Sequence, residues 1–166
     1  KMVATFNSTG TPSMFLHASE AIHGDLGMIQ NADIIICISK SGNSPEIKAL
    51  IPLLKRFGNI LIGMTGNITS SLAKGSDYVL NTTVDMEACP INLAPTNSTT
   101  AQLVMGDALA VCLMEMRDFK PEDFAVYHPG GALGKKLLLR VKDMIENSLK
   151  PMVAADTSIK KVIFEI

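Results

Sequence analysis

The sequence predicts an α/β fold, a doubly wound parallel sheet with helices on both faces. Three observations carry this expectation. Residues 33–39, Asp-Ile-Ile-Ile-Cys-Ile-Ser, form a compact apolar run without polar alternation, the pattern of a strand buried on both faces of a parallel sheet. A helix signal, Ser44-Pro45-Glu46, follows within a few residues. The strand–helix pattern then repeats at short spacing, which is how βαβ units wind a parallel sheet.

Each element has a local reason. Residues 1–6 are apolar with good helix formers, and Asn7-Ser8-Thr9-Gly10 is a helix stop. Pro12 precedes a short extended run over 13–17, and 18–28 is small, polar and glycine-containing. After the first strand, Ser44, Pro45 and Glu46 read as N-cap, N1 and N2, because proline at N1 gives up only an N–H that has no helical partner. Ile47, Leu50, Ile51 and Leu54 supply one apolar face, and Gly58 ends the helix. Residues 60–64 form a second strand, Thr65-Gly66-Asn67 a turn, 70–74 a short helix and 78–80 a third strand. A loop rich in Pro and Asn covers 87–97. Ser98 or Thr99 can cap a long helix running to about Met116, with Leu103, Val104, Ala108, Val111, Cys112 and Met116 mostly at helical spacing. Pro121-Glu122-Asp123 opens a shorter helix ending near His128-Pro129-Gly130-Gly131. From Val141 the pattern weakens. Residues 158–166 read as one more amphipathic helix, the opening of a second domain.

Composition narrows the function. The 166 residues fit about one domain. Fifteen Lys and Arg against sixteen Asp and Glu leave a net charge of −1. That balance argues against a nucleic-acid binder, which replaces phosphate counterions with many cationic side chains, and against a polybasic membrane-surface protein. Apolar residues make up 47%, enough for a sizeable core and too many for a disordered chain. The odd set Cys37, Cys89 and Cys112 has no C-x-x-C spacing and suggests reduced thiols in a cytosolic protein. No apolar run approaches the ~20 residues of a membrane span.

Four segments could carry chemistry. Ser39-Lys40-Ser41-Gly42-Asn43-Ser44-Pro45-Glu46 lies where a buried strand hands over to a helix. Ligands of open parallel sheets bind at the carboxyl ends of strands, and a helix N-terminus suits a phosphate. The hydroxyls of Ser39, Ser41 and Ser44 add neutral donors, and Gly42 admits close backbone approach. An ordinary capped βα turn is the plain alternative, and the segment is not a Walker loop. The loop 87–100 brings Glu87 to another hydroxyl-rich helix start, Ser98-Thr99-Thr100, although a lone loop glutamate is usually only solvated. His128-Pro129-Gly130-Gly131 holds a histidine in a restricted turn, and histidine suits proton transfer near neutral pH. His23-Gly24-Asp25 is the fourth. A zinc site from His17, His23 and His128 lacks supporting spacing.

Together these segments resemble the sugar isomerase (SIS) domain. The run Ser39-Lys40-Ser41-Gly42-Asn43-Ser44 is similar to the phosphate loop of that family, whose fold is a flavodoxin- or Rossmann-like three-layer sandwich. His23-Gly24-Asp25-Leu26-Gly27, Glu87-Ala88-Cys89-Pro90, Leu93-Ala94-Pro95-Thr96, Ser98-Thr99-Thr100, Gly106-Asp107-Ala108-Leu109 and the 128–134 segment resemble its arabinose-5-phosphate isomerase branch. The resemblance covers 1–140, and 141–166 resembles a linker and the beginning of an incomplete CBS domain. Family members open with a strand and a Gly-x-Gly-Lys-Ser loop whose lysine belongs to the active site. The sequence starts after that loop, and Lys1 does not stand for its lysine.

The resemblance implies interconversion of D-ribulose 5-phosphate and D-arabinose 5-phosphate through a cis-enediol(ate), feeding Kdo synthesis for lipopolysaccharide or capsule. No cofactor is implied. By the same resemblance Glu87 is the enediol base, His128 the acid/base at the sugar oxygens, and Glu46 a second carboxylate; Glu87 and Glu46 could exchange roles. His23 binds or polarises substrate, with a neighbouring subunit as one source. Ser39, Ser41, Gly42, Asn43, Ser44, Ser98, Thr99 and Thr100 hold the phosphate. A metal at His23 and His128 is compatible with the set but not required. A dimer or tetramer with shared sites is expected, and a nucleotide-activated Kdo end product is a candidate feedback ligand. Two other readings stay open: a non-catalytic phosphosugar-sensing domain, and an isomerase for another phosphosugar such as a heptose 7-phosphate.

Overall fold

Two successive crossovers build the sheet that positions everything else. In the computed structural model, which describes residues 1–140 and 152–165, β1 (Ile34–Ile38) leads through α3 (Pro45–Phe57) to β2 (Ile60–Thr65), and β2 leads through α4 (Ser71–Gly75) to β3 (Tyr78–Asn81). Before them lie α1 (Met2–Ser8), α2 (Ala18–Ala21) and a 3₁₀ turn, Asp25–Met28. The strand order is β1-β2-β3 and both pairings are parallel. Ile34 stands beside Ile60 and Ile62 beside Tyr78. The expected parallel α/β class therefore holds.

The core forms where α3 lies on one sheet face. Ile47, Leu50, Ile51 and Leu54 are all buried, in a cluster with Cys37 of β1, Leu61 of β2, Leu72 of α4 and Ala21 of α2. Pro45 opens α3, Ser44 is its N-cap, and Gly58 stops it with φ 75°. That backbone angle favours glycine, which has no Cβ to clash. The other sheet face is only partly covered. Met64 is fully buried, but Ile34, Ile38 and Ile60 are exposed. The expectation that residues 33–39 are buried on both faces is thus corrected: side chains alternate between the two faces of β1, and among the described residues the face away from α3 is only partly covered.

The long helix α5 (Asn97–Met116) departs from its expected pattern in two ways. Its N-cap is Thr96, not Ser98 or Thr99. Its buried stripe is Ser98, Gly106 and Ala110, whereas Leu103, Val104, Val111 and Met116 are exposed. At Gly106 the small residue fits because α1 approaches α5 closely. A Cβ on Gly106 would stand 2.5 Å from Met2 Cε, and Lys1 pairs with Asp107.

The chain divides into two compact units, Lys1–Phe119 and Lys120–Ile166. The second contains α6 (Pro121–Tyr127), α7 (Ala132–Leu138) and α8 (Ile159–Glu165). Asp123 Oδ2 caps α6 by accepting the Lys120 N–H at 2.8 Å. Part of the expected linker, 141–151, lies outside the described residues.

Leu54→Ala, at a side chain 1% exposed, is expected to lower stability by about 2–5 kcal/mol. Urea denaturation followed by circular dichroism would measure it.

Candidate active site

The carboxyl ends of all three strands open onto one cleft of about 380 Å³. Lys40 and Ser41 line it after β1, Gly66 and Asn67 after β2, and Thr82 and Val84 after β3. This is where ligands of open parallel sheets bind.

The first wall is the loop between β1 and α3. Lys40 O accepts from Gly66 N at 3.0 Å and from Thr65 Oγ1 at 3.2 Å, tying the loop to the end of β2. Ser39 Oγ accepts from Gly42 N at 3.1 Å, and Ser41 Oγ from Asn43 N at 3.3 Å. Gly42 has φ 62°, and a Cβ there would stand 2.2 Å from Ser70 Oγ. Glycine is required at that crossing on both counts. Asn43 Oδ1 accepts from the N–H and the hydroxyl of Ser71, each at 3.0 Å. Its carbonyl is thus used to join the loop to α4. Ser44 caps α3, and Glu46 stands exposed in the first turn. The Ser44 hydroxyl, and then its own backbone N–H, hold the Glu46 carboxyl below its usual range.

The second wall is the loop from β3 to α5, organised around Glu87. Its side chain is completely buried. Oε1 receives Lys40 Nζ at 2.5 Å and Ser98 Oγ at 2.5 Å. Oε2 accepts from Thr96 N at 2.8 Å, Thr96 Oγ1 at 3.1 Å and Ser98 N at 3.1 Å. Buried carboxylates are tolerated when paired and hydrogen-bonded in this way. Lys40 first, then the Ser98 hydroxyl and the Thr96 amide, hold the Glu87 carboxyl far below the ordinary carboxylate range. Two of its donors are amides at the start of α5, so Glu87 caps that helix from outside. The helix therefore starts earlier than its hydroxyl pattern suggests. The Asn92 side chain takes the Glu87 N–H at 2.7 Å, with φ 54° at Asn92.

The expected residues are distributed unevenly. Ser39, Ser41, Gly42, Asn43, Ser44 and Glu46 lie together on the first loop and the start of α3. Ser98 is corrected: it is 1% exposed and gives its N–H and O–H to Glu87, so neither is presented to a phosphate. Thr99 and Thr100 are exposed on the first turn of α5. The Thr99 hydroxyl donates to Thr96 O at 2.9 Å. His23 is exposed after α2, where its N–H donates to Glu20 O. His128 belongs to the second unit and ends α6. Its Nδ1 lies 3.0 Å from Phe124 O, and its ring stacks on Phe124 at 3.9 Å. A carbonyl oxygen only accepts, so this contact places a proton on Nδ1. Gly134 allows the His128-Pro129 turn to close, since a Cβ there would stand 2.1 Å from His128 O. Among the described residues no group of three or more His, Cys, Asp or Glu side chains could hold a metal ion. None of the described helices is long and apolar enough to cross a membrane.

Sequence reasoning gave no role to Lys40 and Thr96. Both lay inside quoted motifs, but nothing in their local spacing shows that they meet at residue 87.

A carboxylate whose pKa is lowered on folding stabilises the fold above its unfolded pKa, near 4.5 here. That contribution is lost as pH falls from there toward the folded value. Glu87→Gln is expected to lower the urea midpoint at pH 7, with the deficit narrowing below about pH 4.5. Paired urea titrations at pH 7 and pH 3.5 would check this.

The SIS domain signature matches residues 1–112. The chain is 56% identical over its full length to the arabinose 5-phosphate isomerase KdsD of Shigella flexneri, covering 51% of that protein. It is 52% identical to KdsD of Pseudomonas aeruginosa, with the same coverage. It thus spans about half the length of the curated relatives it matches. A solved Escherichia coli protein, in complex with arabinose 5-phosphate, superposes with a TM-score of 0.74 at 49% identity, covering 77% of this chain and 68% of that one. With a signature over two thirds of its length and the matching parallel sheet, the chain belongs to the SIS domain family.

Proposed function

We propose that the protein is an aldose–ketose isomerase interconverting D-ribulose 5-phosphate and D-arabinose 5-phosphate. The observation that carries this reading is the identity of 52–56% over the full chain to proteins named for that activity. The arabinose 5-phosphate complex of a similar fold supports the substrate class. We read 1–140 as the isomerase domain and 141–166 as a linker and the beginning of a CBS domain. A cytoplasmic homo-oligomer with shared sites, a supply of Kdo for lipopolysaccharide or capsule, and feedback by a nucleotide-activated Kdo belong to the same proposal.

The reaction moves one proton between adjacent carbons. A base takes the proton from C1 of the ketose, and the C1–H electron pair becomes the C1–C2 double bond of an enediolate. The carbonyl π pair moves to oxygen, where a proton from an acid stabilises it. Reprotonation at C2 and loss of the O1 proton give the aldose. Glu87 serves as base in this scheme, and its ionisation is secured by Lys40, Ser98 and Thr96. Glu46, exposed at the start of α3, is the second carboxylate and the candidate to exchange roles with it. His128 acts at the sugar oxygens through Nε2, and His23 contacts substrate. The loop residues Ser39, Ser41, Gly42, Asn43 and Ser44, with Thr99 and Thr100, hold the phosphate. No step in this scheme calls for a cofactor.

Loss of a positioned base typically costs ~10²–10⁴-fold. Glu87→Gln in the full-length protein is expected to lose isomerase activity on that scale. Wild type is expected to exchange the C1 or C2 hydrogen of its substrate with solvent deuterium. A phosphosugar sensor would bind without any exchange, and an isomerase for another phosphosugar would leave ribulose 5-phosphate unchanged.

A further inference from the structure

Lys40 joins two features that are otherwise separate. Its Nζ pairs with the buried Oε1 of Glu87, and its side chain also lines the cleft. Of the six described lining residues it alone is charged. The ammonium has three donors, and the bond described for it uses one. Half of its side chain is exposed, so the pairing with Glu87 does not bury it. A half-exposed cationic side chain on the wall of a cleft is a contact for an oxyanion.

We propose that Lys40 is a substrate-binding residue shared between two anions, holding the Glu87 carboxylate on one side and an anionic oxygen of the substrate in the cleft on the other. This rests on the isomerase reading and deepens it. The shared cation couples substrate binding to the basicity of Glu87. An oxyanion that draws on the Lys40 charge weakens its hold on Glu87, and a less stabilised carboxylate is a stronger base. Lys40 is the charged side chain described against that carboxylate. The groups facing it from the start of α5, Thr96 and Ser98, are neutral, as is Asn92 on its own loop.

The test compares wild type, Lys40→Met and Lys40→Arg as full-length proteins. Calorimetry with inorganic phosphate is run beside kinetics on ribulose 5-phosphate across pH. Lys40→Met is expected to weaken phosphate binding and raise KM by about tenfold or more, the scale of one lost charge-assisted hydrogen bond. Its acid limb in kcat/KM is expected to move up toward the ordinary carboxylate range, because Glu87 has lost its cation. Lys40→Arg, which keeps the charge, is expected to restore both. Unchanged phosphate binding in Lys40→Met overturns the proposal. So does a shift in KM without a shift in the acid limb, or the reverse, since a shared cation must move both. Should Lys40→Met fail to fold, Lys40→Gln replaces it under the same criteria. Absence of turnover in wild type would defeat the isomerase reading, while the phosphate titrations would still decide the role of Lys40.

Discussion

The buried charge of Glu87 is the constraint on which the candidate site depends. A carboxylate without solvent contact must be paired and hydrogen-bonded or it takes up a proton. Five donor contacts meet this one, from Lys40, Thr96 and Ser98. The ion pair ties the loop after β1 to the segment entering α5. The amide contacts fix where α5 begins, and the Asn92 side chain holds the Glu87 backbone in the same loop. Removal of the carboxylate therefore disturbs a helix start, a loop and a cleft wall together.

The same constraint fits the proposed phosphosugar substrate to a chain with net charge −1. The cleft has no need of a basic surface. Its cation is local and paired with a buried carboxylate, and the hydroxyls and helix starts around it are neutral or only partly charged. A lysine tied to an internal carboxylate also contributes less long-range field than a free one. That fits selection of a small anion by shape and hydrogen bonds at the sheet edge.

Much of the fold was legible in the sequence because its signals are local. Ile47, Leu50, Ile51 and Leu54 mark one face of α3 by spacing alone, and Pro45 and Gly58 mark its ends through backbone geometry. The apolar run at 34–38 marks a strand, but it could not reveal which face is left partly uncovered, because what packs on a sheet face is a long-range property. The stripe buried on α5 is not legible for a similar reason. Leu103, Val104 and Val111 have the apolarity, yet Gly106 and Ala110 are buried, Gly106 under the close approach of α1. Within the site, the glycine and hydroxyl pattern of 39–44 was visible, as was Glu87. The roles of Lys40 and Ser98 were not, since a lysine 47 positions from its carboxylate carries no sequence signal of the pair.

The ionisation of Glu87 itself is the most direct test of this picture. With ¹³C-labelled glutamate, and Glu87→Gln to assign the resonance, its carboxyl carbon can be followed as pH is lowered in the folded protein. The expected resonance stays in the carboxylate position well below pH 4.5, the ordinary glutamate value, while solvent-exposed glutamates titrate. A Glu87 carboxyl that titrates at or above that value would contradict a site organised around a buried, paired carboxylate.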